Sequence, residues 1–184
     1  MSRISAIETP YKGCRFRSRL EARWAVFLDT ADIAWEYEPE GFHIRRPGME
    51  RFSWLPDFWL GCGQWAEVKG SLDEAGAWKL LRILEAVTRC GPDGTADVAL
   101  LGPLPREDSC LWPAQLHTHG QKLWAVPWDT APGCPLAAGR PRSRVADEAA
   151  LIRLLDGMPA EMPPWGFDAV MAARGARFEW GESG

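Results

Sequence analysis

The stretch that decides the fold is PDFWLGCGQWAEVK (residues 56–69), in which two apolar segments flank a short glycine-containing turn. Residues 51–60 and 64–70 are rich in aromatic and branched side chains, which favours two strands. Gly61-Cys62-Gly63 between them is a turn signal. The sequence therefore predicts a β-hairpin that closes over these three residues.

The ionisable residues of this hairpin form a pattern that suits a divalent cation. Side chains on a strand alternate between faces, so Glu67 and Lys69 share a face and Asp57 is expected near Glu67. Two carboxylates at close range repel unless a cation lies between them, and Mg²⁺ prefers carboxylates, waters and phosphate oxygens. We expect Asp57, Glu67 and the carbonyl of Val68 to be metal ligands. Lys69 is then placed to orient water and neutralise developing charge, and Glu21 to bind the metal through water or to hold a second ion.

The rest of the first 128 residues surrounds this hairpin with helices and further strands. Apolar residues at three- and four-residue steps predict two helices, the second with Ser71 as its N-cap and Gly91-Pro92 as its stop signal. The predicted elements are a helix over 15–30, strand-like residues over 33–46, a helix over 71–89, a strand over 97–102 and a further strand over 121–128.

The last third of the sequence differs in composition from the first two thirds. Residues 129–145 contain several prolines and glycines and are predicted to be loop-like. Two helices are predicted beyond them, over 146–155 and 165–174. We therefore divide the chain into a core domain, residues 1–128, and a linker with a C-terminal helical extension, residues 129–184.

Taken together, these motifs resemble the PD-(D/E)XK nuclease superfamily, which includes many restriction enzymes and Holliday-junction resolvases. Small proteins of phages and mobile elements carry the same run of motifs. The resemblance implies an α/β fold with a restriction-endonuclease-like core of a helix, a three-stranded meander, a helix and a strand. It gives Asp57, Glu67 and Lys69 the metal and catalytic roles, and Glu21 the role of the first-helix carboxylate. The motifs that carry it are FRSRLEARWAVFLD (16–29), WEYEPE (35–40), WLPDFWL (54–60) and WAEVKG (65–70).

Composition and charge bear on the partner of the protein. The 184 residues have a formal net charge of −4, which argues against a protein that coats DNA but not against a nuclease. Positive charge is concentrated near the start of the chain, and we expect Arg15, Arg17, Arg19 and Arg23 to hold a DNA backbone. Solvated arginines are the alternative. A second group, with a weaker case, is Arg140, Arg142 and Arg144.

Cysteine usage and the first residues bear on the compartment. The five cysteines contain no CxxC pair, and neither a signal peptide nor a membrane-spanning run is recognisable, so we expect free thiols in the cytoplasm. A zinc site is weighed and set aside because the spacing of its candidates is irregular. These candidates are Cys110, His117, His119 and Cys134.

Other interpretations of the same residues remain open. Asp57 can cap a turn while Glu67 and Lys69 pair with neighbours on an exposed strand, and Glu21 can form a helix ion pair with Arg17. Glu38 and Glu40 flank Pro39 in what we expect to be an exposed acidic turn, with a role in metal binding or substrate positioning as the alternative. At the level of function, the prediction is a Mg²⁺- or Mn²⁺-dependent DNA endonuclease, expected as a homodimer because cutting two strands requires two sites. The alternatives are a catalytically silent module that binds DNA or a protein, and a structural or inhibitory protein of a mobile element.

Overall fold

The structure is a computed structural model that describes residues 7–45, 51–87, 97–106, 110–119, 122–128, 143–163 and 165–178. The predictions about Arg140, Arg142 and Cys134, and the last two residues of the predicted second helix, lie outside these ranges. The elements in chain order are β1 Thr9–Tyr11, β2 Cys14–Phe16, α1 Arg19–Thr30, β3 Trp35–Tyr37, β4 Phe42–Ile44, β5 Phe52–Trp54, β6 Phe58–Leu60, β7 Gln64–Val68, α2 Glu74–Val87, β8 Val98–Leu101, β9 Leu111–Trp112, β10 Ala114–His119, β11 Lys122–Pro127, β12 Ser143–Val145, α3 Glu148–Arg153, a 3₁₀ turn Leu154–Asp156, β13 Met158–Pro159 and α4 Gly166–Gly175.

A seven-stranded sheet in the order β12-β11-β10-β8-β7-β6-β3 forms the centre of the fold. Strands β7 and β8 are parallel, and the other neighbours are antiparallel. Helices α1 and α4 contribute to the apolar core on one face, and α2 and α3 to the core on the other. The fold is therefore of the mixed α/β class, as expected.

Strand β8 shows why the middle of the sheet is an almost continuous apolar run in the sequence. Ala99 and Leu101 belong to the core beneath α1, while Val98 and Leu100 belong to the core beneath α2. A strand covered on both faces needs apolar residues at every position rather than at alternate ones. Strand β8 pairs with β7, the strand that carries Glu67 and Val68.

The predicted hairpin is confirmed, with β6 and β7 joined through a turn in which Gly63 has a φ of +86°. The prediction of a single strand over residues 51–60 is wrong. The segment forms β5 and β6 with Pro56 between them, because proline has no N–H to continue a ladder of hydrogen bonds. Strand β5 pairs with β4 in a separate hairpin.

Two helix starts also differ from the predictions. The first helix begins at Arg19 rather than at residue 15, because residues 14–16 form β2 of an additional hairpin. The second begins at Glu74, and Ser71 is not its cap. Asp73 takes that position, with its side chain accepting a hydrogen bond of 2.8 Å from the N–H of Gly76.

The C-terminal part of the chain joins the same architecture. Strand β12 extends the large sheet beside β11, and α4 packs against α1 within one apolar core. The helix predicted over 165–174 is confirmed as α4, whereas strands β9, β10, β12 and β13 were not predicted. The division of the chain at residue 128 stays a prediction. Among the helices of the described ranges, none has the length and apolar character needed to cross a membrane.

Candidate functional site

Asp57 is the buried centre of the candidate site. It lies one position beyond the Phe58–Ala66 pair of the hairpin, and so opposite Glu67. Its side chain is only 4% exposed, and its Oδ2 accepts a hydrogen bond of 2.7 Å from the N–H of Val68. The predicted approach of Asp57 to the end of β7 is therefore present in the structure.

Lys69 connects the predicted ligands. Its Nζ lies 2.6 Å from Oε1 of Glu67, 3.1 Å from the carbonyl oxygen of Val68 and 3.9 Å from Oδ2 of Asp57. The three groups predicted to bind a metal thus surround one positive charge, which the chain itself supplies. The interpretation of Glu67 and Lys69 as members of an exposed strand does not fit, because Glu67 is buried and Lys69 is two-thirds covered.

Burial and charge set the protonation of these groups. Burial raises the pKa of Asp57 above its ordinary value, and the nearby Glu67 adds to the rise, while Lys69 and the Val68 N–H oppose it. For Lys69, burial lowers the pKa, but the negative charges of Glu67 and Asp57 outweigh burial and the net shift is upward. Lys69 therefore remains an ammonium at neutral pH. A cation beside Asp57 stabilises its charged carboxylate form.

Glu21 is brought to the same end of the molecule but is engaged in capping α1. Ser18 is the N-cap and accepts from the N–H of Glu21, while its hydroxyl donates to Oε1 of Glu21 at 2.6 Å. Oε2 accepts from the N–H of Arg17 at 3.0 Å and from the Tyr37 hydroxyl at 2.6 Å. This is a variant of the capping box. In place of the helix ion pair with Arg17, which was the alternative interpretation, Glu21 accepts a bond from the Arg17 backbone. A catalytic role for Glu21 stays a prediction.

The four arginines predicted to contact nucleic acid have different surroundings. Arg17 contacts a buried carboxylate, with its Nη2 3.1 Å from Oδ1 of Asp57. Arg15 forms an exposed ion pair with Glu8 at 2.9 Å. Arg19 is exposed, and Arg23 is partly buried, with no hydrogen-bond partner for its Nε among the described residues.

Three further residues complete the site, and two of them, Trp54 and Tyr37, were not considered for it from the sequence. Trp54 donates its indole N–H to Oε2 of Glu67 at 2.8 Å, and Tyr37 binds Glu21. Glu38 is partly buried and forms an ion pair with Arg17, so the expectation of an exposed acidic turn is wrong for Glu38, whereas Glu40 is exposed as expected. A usable signal existed for Trp54, because a buried indole N–H next to a predicted acid usually finds an acceptor.

The donor set available to a metal consists of two carboxylates and one backbone carbonyl. Within the described ranges, no group of three or more His, Cys, Asp and Glu side chains is arranged to hold a metal ion. Of the zinc candidates, His117 is buried in β10, and Cys134 lies outside the described ranges.

Comparisons with family models, with curated proteins and with solved structures found no match to this chain. A functional conclusion therefore rests on the geometry of the site.

Proposed function

We propose that the protein is a metal-dependent DNA endonuclease that hydrolyses phosphodiester bonds with Mg²⁺, for which Mn²⁺ substitutes. The observation that supports this most strongly is the position of the Lys69 ammonium among oxygens of Asp57, Glu67 and Val68. A buried position that already surrounds one cation with two carboxylates and a carbonyl suits a hard divalent ion.

The residues present fit a Mg²⁺ ion by their chemistry. All three donors are oxygens, and Mg²⁺ commonly binds through one or two carboxylates and completes its shell with waters and substrate phosphate. Bound there, the ion would lower the pKa of a water and stabilise charge on the phosphate. Trp54 holds Glu67, and the Val68 N–H holds Asp57, so both carboxylates are oriented before any ion arrives.

In this proposal the Lys69 ammonium has one position without a divalent ion and another with one. In the metal-free molecule its ammonium neutralises the acids. If a divalent ion took that place, repulsion would move the Lys69 ammonium toward the solvent side, where it could bind the attacking water or the phosphate. Its side chain is 32% exposed, so part of it already contacts solvent.

The order of elements also supports the proposal. Helix α1 precedes an antiparallel meander of β3, β6 and β7, followed by α2 and by β8 parallel to β7. The PD-(D/E)XK core expected from the sequence has this order, with the β4–β5 hairpin here inserted into the meander. Strands β10 to β12 and α4 then extend the sheet and the core.

The test is cleavage of labelled linear, flapped and four-way-junction DNA with Mg²⁺, Mn²⁺ or EDTA. We expect products only with a metal, and a homodimer by sedimentation when both strands of a duplex are cut. If wild-type protein leaves all three substrates intact with both metals, the endonuclease proposal is wrong. DNA binding that is insensitive to EDTA and yields no products would instead favour a catalytically silent binding module.

A further inference from the structure

Arg17, Glu38 and Asp57 form a second charged group beside the Lys69 position. The guanidinium of Arg17 is shared between the carboxylates of Asp57 and Glu38. The Arg17 side chain is 57% exposed, while that of Asp57 is 4% exposed. The arginine therefore covers the solvent side of the buried acid, and part of its fork of N–H donors faces outward.

Glu38 is fixed relative to Asp57 by its backbone. Its φ is +47°, in the left-handed region that residues other than glycine rarely adopt. Such a conformation persists only where neighbouring contacts hold it. Here the N–H of Glu38 donates to the carbonyl oxygen of Asp57 at 3.0 Å. Glu38 therefore binds Arg17 through its carboxylate and Asp57, the other acidic partner of Arg17, through its backbone N–H.

Binding of a divalent ion changes what holds Arg17. An ion at the Asp57 carboxylate neutralises that acid and repels the guanidinium, so the contact between Arg17 and Asp57 weakens. The Glu38 carboxylate remains, and it retains the arginine at the edge of the site. A retained guanidinium that faces solvent beside a bound cation has the geometry and charge to bind a phosphate oxygen pair.

We propose that Arg17 is the phosphate-binding residue of this site, and that Glu38 is a positioning residue that keeps Arg17 there when a cation occupies Asp57. The inference rests on the proposed function and names the ligand as the phosphodiester of DNA. It also separates Arg17 from Arg15, which is paired with Glu8 on the β1–β2 hairpin. That exposed pair provides a matched control.

The test is a double-mutant cycle read by fluorescence anisotropy of a labelled DNA duplex in Ca²⁺. We expect Arg17→Met to weaken binding about tenfold, the effect of losing one charge-assisted contact. The slope of log K against log salt should fall by about 0.9, as for one lost phosphate contact. Arg17→Lys keeps the charge and should keep the slope.

Glu38→Gln gives the more diagnostic result. Removal of a negative charge by itself favours DNA binding, and Glu8→Gln should show this small gain. Glu38→Gln should instead weaken binding, by about threefold, whereas in the Arg17→Met background it should give only the same small gain as Glu8→Gln. Thermal unfolding of each variant checks that the fold is retained.

Several outcomes would overturn the inference. These are an unchanged affinity in Arg17→Met, a gain in Glu38→Gln, an equal loss from Glu38→Gln in both backgrounds, or no duplex binding by the wild type. The proposed function fails separately. If the double-mutant cycle gives the expected result but no metal supports cleavage, the phosphate-binding role of Arg17 is supported and the endonuclease proposal is wrong. If the wild type cuts DNA while Arg17→Met binds DNA normally, only the inference about Arg17 is wrong.

Discussion

The two ends of strand β7 each have an aspartate attached to them, and the two aspartates have different surroundings, with Asp57 buried and Asp97 partly buried. At the C-terminal end, the Asp57 carboxylate accepts from the N–H of Val68 at 2.7 Å. Near the start, the carbonyl oxygen of Asp97 accepts from the N–H of Trp65 at 3.2 Å. Burial raises the pKa of both aspartates, that of Asp97 to about 6.

The difference lies in the charges around each acid. Asp57 has the second carboxylate of Glu67 opposite it and the cations Lys69 and Arg17 against it. The side chain of Asp97 accepts a hydrogen bond of 2.8 Å from the neutral amide of Gln115. Burial and a raised pKa therefore do not by themselves mark a functional site. Because the Asp57 end has a second acid and partly exposed cations, we propose it as the place for an exchangeable ion.

The largest expected effect is on DNA cleavage, which should distinguish the Asp57 end of β7 from the Asp97 end. Asp57→Asn removes a charged ligand and should lower metal-dependent DNA cleavage by about 10³-fold or more. Asp97→Asn is the matched control and should stay within about threefold of the wild type, a change of less than 1 kcal/mol in the barrier. Initial rates on the preferred substrate measure both. Equal losses in the two variants would abolish the distinction between the ends.

A second prediction decides between structural and ligand roles for Glu21. Glu21→Gln keeps the shape but loses the charge that accepts from Arg17, Ser18 and Tyr37, so urea unfolding should show a loss of about 1–2 kcal/mol. Mn²⁺ affinity should stay within about twofold of the wild-type value, because less than 0.5 kcal/mol of binding is at stake.

Its control is Glu85→Gln, which breaks the ion pair of Glu85 with Arg82 at 3.0 Å on α2. That surface pair should contribute less than about 0.5 kcal/mol. If Glu21→Gln instead lowered Mn²⁺ affinity tenfold and left stability intact, Glu21 would be a ligand of the ion.

The smallest effect concerns stability at the Asp97 end. The pKa of Asp97 is about 6 in the folded protein and 3.8 in the reference state. Between these values the folded state binds more protons, so the free energy of unfolding falls as pH rises from about 4 to about 6 and stays lower above that.

Asp97→Asn removes this dependence. Relative to the wild type, the variant should gain about 1 kcal/mol between pH 4 and pH 7, less than the full shift implies because partial exposure screens the charge. Urea unfolding at one-unit pH steps measures the difference, in which the titration of Asp57 cancels. A difference that is constant with pH would contradict the assignment.

The comparison also shows what local sequence can and cannot reveal. The hairpin and the presence of strand β8 follow from apolar patterns and a turn signal, and the hairpin places Asp57, Glu67 and Lys69 together, whereas the parallel pairing of β8 with β7 was not predicted. The contact of Arg17 with Asp57 joins residues 40 positions apart, and no local pattern encodes it. Strand β10 was missed because buried Gln115 and His117 interrupt its apolar residues, so its pattern looks like that of a surface segment.

The central claim is that the Lys69 ammonium occupies the position of a divalent ion, and Mn²⁺ titration calorimetry tests it most directly. Lys69→Met removes the competing charge, so it should bind Mn²⁺ about tenfold more tightly than the wild type, although it should not cut DNA. Lys12→Met, which breaks an ion pair with Asp29 at 3.1 Å, is the control and should bind as the wild type does. Weaker or unchanged Mn²⁺ binding in Lys69→Met would contradict the account.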